Sequence, residues 1–246
     1  MEVAMNRESC ASSDSSFGAA NLRCSEIWFA GDCHGVFTHI LNAVHARRPD
    51  GIVFLGDLEC SSPLQDELRD LPTGIEIAYI PGNHDTDCVK NWDHLTGSGY
   101  VNLHATVMSI CGVRIAGLGG VFRKPWYPRG NASFDPSFSG DVYKSKVGKG
   151  NLFRGGLPLR HRSTIFPADV VHLSQLKADI LVTHEAPGMH PCGFDVISEL
   201  ASSMGVANAY HGHLHEFLDY PASPWRGVGF RGIVSISGEI ICGGQT

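Results

Sequence analysis

The chain has 246 residues and a formal net charge of −6, with 43% hydrophobic and 18% charged residues. This length is typical of one domain that buries its own core. The acidic balance argues against a generally basic nucleic-acid-binding protein. No apolar run approaches the roughly 18 residues of a membrane-spanning helix. The first residues are not followed by the apolar segment that a secretory signal requires, so none is predicted.

The eight cysteines are scattered and include no Cys-x-x-Cys pair. In a chain of this size without a signal sequence, this pattern favours reduced thiols and a cytoplasmic location. Residues 1–24 are rich in serine and poor in large apolar side chains, so we expect a disordered N-terminal tail. Residues 25–246 are then expected to form a single domain.

From residue 25 onward, short apolar runs alternate with helical patterns. Buried strands are predicted over residues 26–30, 51–55, 75–80, 105–110, 113–118, 179–183, 206–210, 217–220, 228–236 and 239–242. Helices are predicted over residues 36–48, 62–70, 86–96, 168–178 and 193–204, and Asp195 is the predicted N-cap of the last. Ser237 and Gly238 predict a hairpin turn. The alternation indicates an α/β protein, and the terminal hairpin indicates mixed sheets.

A basic insert over residues 121–162 interrupts this alternation. It has little periodicity and many glycine, proline and aromatic residues. It carries nine cations and two anions, a net charge of +7, which leaves −13 on the remainder of the chain. A long irregular segment inside a compact domain is usually functional or disordered.

Polar segments follow five of the predicted strands. They read Gly31-Asp32-Cys33-His34-Gly35, Gly56-Asp57, Gly82-Asn83-His84-Asp85, His184-Glu185 and Gly212-His213-Leu214-His215. Because ligands bind at the carboxyl ends of strands in layered α/β folds, we expect these segments to converge. Their metal-type donors exceed the four ligands of one structural zinc and suit two divalent ions. The seven donors are Asp32, His34, Asp57, Asn83, His184, His213 and His215.

The five segments, in this order, resemble those of the calcineurin-like metallophosphoesterases across about residues 26–242. The resemblance implies a four-layer α-β-β-α sandwich of two mixed sheets, the metallo-dependent phosphatase-like fold. It also implies two divalent metal ions that share Asp57. The first is held by Asp32, His34, Asp57 and His215, and the second by Asp57, Asn83, His184 and His213. Manganese is the expected metal, and iron, zinc and cobalt suit the same ligands.

The same resemblance implies hydrolysis of phosphate esters. A hydroxide that bridges the two metals attacks phosphorus, while the metals neutralise charge on the phosphoryl oxygens. By the same resemblance, His84 would assist the leaving group, and Asp85 would hold one ring nitrogen of His84 so that the imidazole stays cationic. His84 and Asp85 are therefore the expected catalytic residues, and the expected substrate-binding residues are Asn83, His84 and Arg123.

The basic insert is expected to form a flap over the metals. Its cations Arg123, Lys124 and Arg129 are candidates to bind phosphate oxygens or a second phosphate. Aromatic side chains nearby are candidates to stack on a base or to line a pocket, namely Phe122, Trp126 and Tyr127. The alternative is a solvated loop whose cations balance the acidic body of the protein.

Two differences from known members of the superfamily argue against a protein-phosphatase role and against a purple acid phosphatase. Residues 56–62 lack the Asp-Arg pair of members related to Ser/Thr protein phosphatases, and no tyrosine follows Asp57 closely, as purple acid phosphatases require. A small phosphorylated substrate is expected, and nucleic acid is less favoured. A nucleotide phosphodiesterase or nuclease and a catalytically silent scaffold are the alternatives. The scaffold is disfavoured because every predicted ligand and His84 are present in the sequence.

Cys33 lies between two predicted donors but is expected to be a small buried residue rather than a ligand.

Overall fold

The computed structural model describes residues 25–124, 126 and 135–244. The expected tail, residues 1–24, lies outside the described residues, as do Tyr127 and Arg129 of the basic insert. Within the described ranges, none of the helices combines the length and apolar character needed to cross a bilayer.

Twelve strands and six α-helices make up the regular structure of the described residues. The strands are β1 (Ile27–Ala30), β2 (Gly51–Phe54), β3 (Glu76–Tyr79), β4 (Val101–Asn102), β5 (Thr106–Ile110), β6 (Val113–Leu118), β7 (Ile180–Thr183), β8 (Asn208–His211), β9 (Leu218–Asp219), β10 (Trp225–Gly227), β11 (Gly232–Ser235) and β12 (Ile240–Gly243). The α-helices are α1 (Thr38–Ala46), α2 (Leu64–Glu67), α3 (Val89–Thr96), α4 (Gly140–Lys146), α5 (Pro167–Ser174) and α6 (Asp195–Met204). Short 3-10 turns cover His84–Thr86, Lys149–Asn151 and Leu159–Ser163.

The strands form two mixed six-stranded sheets, as the sequence predicts. The first has the order β12-β11-β1-β2-β3-β4, and the second has the order β5-β6-β7-β8-β10-β9. Strands β1 to β4 are parallel, whereas β11 is antiparallel to both β1 and β12. In the second sheet, β6, β7, β8 and β10 are parallel, and the edge strands β5 and β9 are antiparallel to their neighbours.

Three apolar cores separate four layers. Alternate residues of a strand face opposite sides of its sheet. Trp28 therefore packs in the core beneath α1, α2 and α3, whereas Phe29 packs in the core between the two sheets. The third core lies between the second sheet and helices α5 and α6, around Leu181 and Ile197. Helices thus cover both outer faces, which confirms the expected α-β-β-α sandwich.

The contact between the sheets is expected to contribute strongly to stability. The rings of Phe29 and Tyr210 stack with centroids 3.8 Å apart, and the Tyr210 hydroxyl donates to the Ile236 carbonyl at 3.0 Å. Replacing Phe29 by Ala is expected to lower the free energy of unfolding by about 3–5 kcal/mol, measured by urea denaturation. The control is Met108→Ala on β5, whose side chain is exposed. Equal losses in both variants would contradict this description of the core.

The structure differs from the sequence predictions mainly in short elements. Strands β4 and β10 and helix α4 were not predicted, since two to seven residues carry too little periodicity. The predicted helix over residues 62–70 is a single α-turn, α2. The prediction of Asp195 as N-cap is wrong, because Phe194 holds that position in an extended conformation and Asp195 is the first helical residue. The terminal hairpin is present, with Gly238 at φ +87° between β11 and β12.

Candidate metal centre

Each predicted donor lies in a segment that directly follows a strand. Within each sheet these strands are parallel, so their carboxyl ends lie at the same edge. In the first sheet, parallel strands β1, β2 and β3 lead into the segments carrying Asp32 and His34, Asp57, and Asn83. In the second sheet, parallel strands β7 and β8 lead into those carrying His184, and His213 and His215. Contacts between these segments join the two sheets. The His213 backbone N–H donates to the Asp32 carboxylate at 3.0 Å, and the His184 ring donates to the Leu55 carbonyl at 2.8 Å.

Asp32, His34 and His215 form a first donor group. One ligand atom from each lies within 4.8 Å of the others. The Nε2 atoms of His34 and His215 are 3.3 Å apart, and His215 Nε2 is 3.9 Å from Asp32 Oδ1. The Nδ1 atom of His34 contacts the Glu59 carboxylate, so its proton is held on that side of the ring. This tautomer directs the Nε2 lone pair of His34 toward the other two donors.

Asp57, His184 and His213 form a second donor group with the same mutual spacing. His184 Nε2 is 3.3 Å from Asp57 Oδ2 and 3.2 Å from Asn83 Oδ1. Because His184 Nδ1–H donates to the Leu55 carbonyl, Nε2 is the ring nitrogen that faces Asp57 and Asn83 and would bind a cation in place of its proton. All seven predicted donors therefore lie in or beside these two groups.

Burial sets the electrostatics of both groups. It raises the pKa of Asp32 to about 7 despite the nearby His184. Burial also acts to raise the pKa of Asp57, but the charge of His184 holds it well below its usual range. Burial acts to lower the pKa of His184, yet the charge of Asp57 raises it to about 10, whereas burial lowers the pKa of His213 to about 3.

The donor set fits divalent cations. Buried carboxylates are costly unless a cation or hydrogen-bond donors compensate them, and Asp32 and Asp57 are both almost fully buried. The remaining donors are imidazole nitrogens and an amide oxygen, which suit manganese, iron, zinc and cobalt and require no thiolate. Cys33 lies between two donors in sequence but is buried in the apolar core of the first sheet, as expected for a small packing residue.

Unusual backbone conformations concentrate at this centre. Five of the seven predicted donors have positive φ angles, namely Asp32, His34, Asp57, His213 and His215, and the described residues include six other non-glycine positions of this kind. Such conformations cost about 1–3 kcal/mol each and persist where the surrounding structure requires them. The backbone thus adopts unfavourable conformations at the positions that direct these side chains toward one another.

The expected partner of His84 is replaced by a different carboxylate. Asp87 Oδ2 accepts from His84 Nδ1 at 2.7 Å, across the short turn His84–Thr86. Burial acts to lower the pKa of the half-exposed His84, but the hydrogen bond to Asp87 raises it overall. The His84 backbone N–H donates to Asp57 Oδ1 at 2.8 Å, so the residue is also fixed to the second donor group.

The prediction that Asp85 holds a ring nitrogen of His84 is wrong. Asp85 is fully buried and accepts backbone N–H groups of Leu58, Glu59 and Gly82 at 2.8–3.0 Å. Burial and the charge of Asp57 raise its pKa to about 7. Asp85 therefore ties the segment after β2 to the segment after β3. A Cβ atom on Gly82 would lie 2.2 Å from Asp57 Oδ1, so this close approach requires glycine.

Arg123 lies at the edge of the centre. It lines a cavity of about 420 Å³ with Asn83, Glu185 and His213. Glu185 connects the two sides of this cavity, because its Oε1 accepts the Phe122 backbone N–H at 3.1 Å and its Oε2 lies 3.9 Å from His213 Nε2. The cavity joins the basic insert to the second donor group. The expected substrate-binding role of Arg123 stays a prediction.

Two contacts in the centre were not predicted. Glu59 contacts the His34 ring, and Asp87 contacts the His84 ring. The three-residue spacing between His84 and Asp87 is a signal for such a contact on a short helical turn. Glu59 follows Asp57 by two residues, and only the fold of that segment brings it to His34.

Comparison with known proteins places this arrangement in a family. A family model described as calcineurin-like phosphoesterase matches residues 25–217, and the chain belongs to that family. The resemblance drawn from the five segments is thereby confirmed. Membership of this family supports the general assignment of the chain as a metal-dependent phosphoesterase, which is a hydrolase. Members of the family typically bind divalent metals.

Two relatives illustrate the match. A Haemophilus influenzae protein, described as an uncharacterized protein, is 41% identical over 221 residues, which cover 87% of this chain and 96% of that protein. The crystal structure of TT1561 of Thermus thermophilus is similar with a TM-score of 0.53 and 15% identity, covering 85% of this chain and 93% of that one. The second likeness shows a shared fold.

Proposed function

We propose that this chain is a dinuclear metal-dependent phosphoesterase that acts on a small phosphorylated substrate. The observation that carries the proposal is the convergence of seven predicted donors from five strand ends into two adjacent groups. Asp32, His34, Asp57 and His215 would hold one divalent ion. Asp57, Asn83, His184 and His213 would hold the other. Retention of the complete donor set favours an enzyme over a silent scaffold of the same fold.

When bound, a pair of divalent ions supplies a nucleophile at neutral pH and offsets charge on the phosphoryl group. The chain's own residues would position the substrate and supply a proton to the leaving group. His84 Nε2 is free to face the leaving oxygen, because Nδ1 is bonded to Asp87. When His84 is protonated, its Nε2–H would donate a proton to the leaving oxygen as the ester bond breaks. Arg123 would bind phosphoryl oxygens at the mouth of the cavity.

The proposed domain runs from residue 25 to 246, with the basic insert at about 121–162 as a flap beside the metals. Within the described residues, five cysteines are free thiols, namely Cys33, Cys60, Cys88, Cys111 and Cys242. This agrees with the reducing, cytoplasmic location that the cysteine pattern favours.

The function is tested with the full-length protein loaded with Mn²⁺. We expect hydrolysis of p-nitrophenyl phosphate or of its bis ester, and loss of that activity after dialysis against a chelator. The preferred ester separates a monoesterase from a diesterase. Absence of turnover with both esters, despite full loading with each suitable metal, would favour the scaffold alternative.

Asp87 is proposed to position the His84 ring. In steady-state kinetics with an alkyl phosphate, replacing Asp87 by Asn is expected to lower kcat about 10–100-fold with little change in KM, because the ring loses the carboxylate that raises its pKa and orients it. Asp87→Glu should restore part of the rate. The control is Asp70→Asn at an exposed position. A change in KM alone would contradict the positioning role.

A further inference from the structure

A second cavity opens beside the metal centre. It has a volume of about 440 Å³ and shares Val121, Phe122 and Arg123 with the cavity that reaches His213. We call it the basic cavity, and the described residues that line it are Val121, Phe122, Arg123, Lys124, Arg160 and His161. Arg123 therefore faces both spaces, and a molecule at the metal centre can extend past it.

The described lining of the basic cavity carries an excess of positive charge. The carboxylates whose charge acts on Arg123, among them Asp87 and Glu185, lie outside this lining. Arg123, Lys124 and Arg160 are cationic, and none of the six lining residues is acidic. Among the described residues, the ion pairs of arginine and lysine with carboxylates involve other side chains. Among the described residues, the buried Nε of Arg123 has no hydrogen-bond partner, and its Nη2 donates to Ser163 Oγ at 3.5 Å. Clustered cations of this kind are unfavourable until an anion joins them.

His161 does not add to this charge. The Tyr143 hydroxyl lies 3.0 Å from its Nε2, and the Thr164 hydroxyl lies 3.1 Å from its Nδ1. Both ring nitrogens are thus engaged by neutral groups. Burial and the charges of Arg123 and Arg160 lower the pKa of His161, so the ring is a neutral wall of the cavity.

The basic cavity is fixed relative to the metal centre. Arg160 and His161 lie on the turn Leu159–Ser163. Val121 N–H donates to the Ser163 carbonyl at 3.0 Å, which joins this turn to the segment that carries Arg123. The Ser163 hydroxyl is also 2.6 Å from that of Thr86, at the end of the turn that begins with His84.

We infer that the basic cavity binds a second phosphate group of the substrate, while the phosphate to be cleaved lies at the metal centre. The substrate class is then a small molecule with two phosphate groups. Paired arginines suit this role because guanidinium groups bind phosphate oxygens in a bidentate manner. The inference rests on the proposed phosphoesterase function, and it assigns Lys124 and Arg160 as determinants of specificity.

The test counts bound phosphate by equilibrium dialysis of the full-length, Mn²⁺-loaded protein with radiolabelled inorganic phosphate. We expect two phosphates per chain in the wild type and one in the double variant Lys124→Ala/Arg160→Ala, whose two side chains are exposed. The control Lys149→Ala removes an exposed cation of the same insert outside the cavity and should bind two. An equal count in the wild type and the double variant would overturn the inference.

A failure of the proposed function is distinguishable from a failure of the inference. If the chain does not hydrolyse phosphate esters but the double variant still binds one phosphate fewer than the wild type, the anion site stands without the enzyme. If hydrolysis is present and the counts are equal, the enzyme stands without the anion site. In an active enzyme, the ratio of kcat/KM for a bisphosphate over its monophosphate should also fall about tenfold or more in the double variant.

Discussion

Asp57→Asn is expected to reduce kcat by about 10³-fold or more. Asp57 is almost fully buried, lies 3.3 Å from His184 Nε2, and accepts the His84 backbone N–H at 2.8 Å. The amide keeps the shape of the side chain but removes the negative charge that both ions are proposed to share. Stabilisation by a metal pair is worth several kcal/mol, and each 1.36 kcal/mol corresponds to a factor of ten in rate. Steady-state kinetics with p-nitrophenyl phosphate measure the loss.

The control for this variant is Asp66→Asn on α2, where the carboxylate is exposed and belongs to neither donor group. It makes the same chemical change and should retain the wild-type rate. Thermal unfolding of both variants shows whether the fold is intact. A folded Asp57→Asn protein with near wild-type kcat would mean that any bound metals serve structure rather than catalysis.

His84→Asn is expected to lower kcat about 10²–10⁴-fold for an alkyl phosphate, whose leaving alkoxide needs a proton. The loss should be much smaller for p-nitrophenyl phosphate, because p-nitrophenolate leaves without one. The backbone N–H of residue 84 still donates to Asp57, so metal content should be unchanged. Rates with the two esters, each with metal content determined, give the comparison.

His45→Asn provides the matched control, since His45 is exposed in the last turn of α1. It should leave both rates unaltered. Equal losses with the alkyl and aryl esters in His84→Asn would show that His84 does not protonate the leaving group.

The fold was predictable where apolar runs were long enough to be recognised as buried strands. Strands such as β1 and β2 are continuous apolar runs, and the Asp and His side chains that follow them could be assigned from sequence order alone. Strands β4 and β10 contain two and three residues, so no period can be read from them. Their place is fixed by pairing with β3 and β8.

The donors were easier to predict than their partners. A metal ligand is recognisable by residue type and by its position after a strand, as with Asp32 and His184. The partner of His84 depends on local backbone geometry, since adjacent residues of a turn point in different directions. In the short turn after Asn83, the Asp85 side chain points inward to backbone N–H groups, while Asp87 reaches the ring. The three-residue spacing of His84 and Asp87 favours their pairing only on a helical turn, and the turn His84–Thr86 was not predicted.

The central claim is that two adjacent donor groups each hold a divalent ion. Crystals of the Mn²⁺-loaded protein, measured at the manganese absorption edge, test it most directly. We expect two anomalous peaks, one among Asp32, His34 and His215 and the other among Asp57, His184 and His213. A fully loaded crystal with no peak at these groups, or with a single peak, would contradict the dinuclear account.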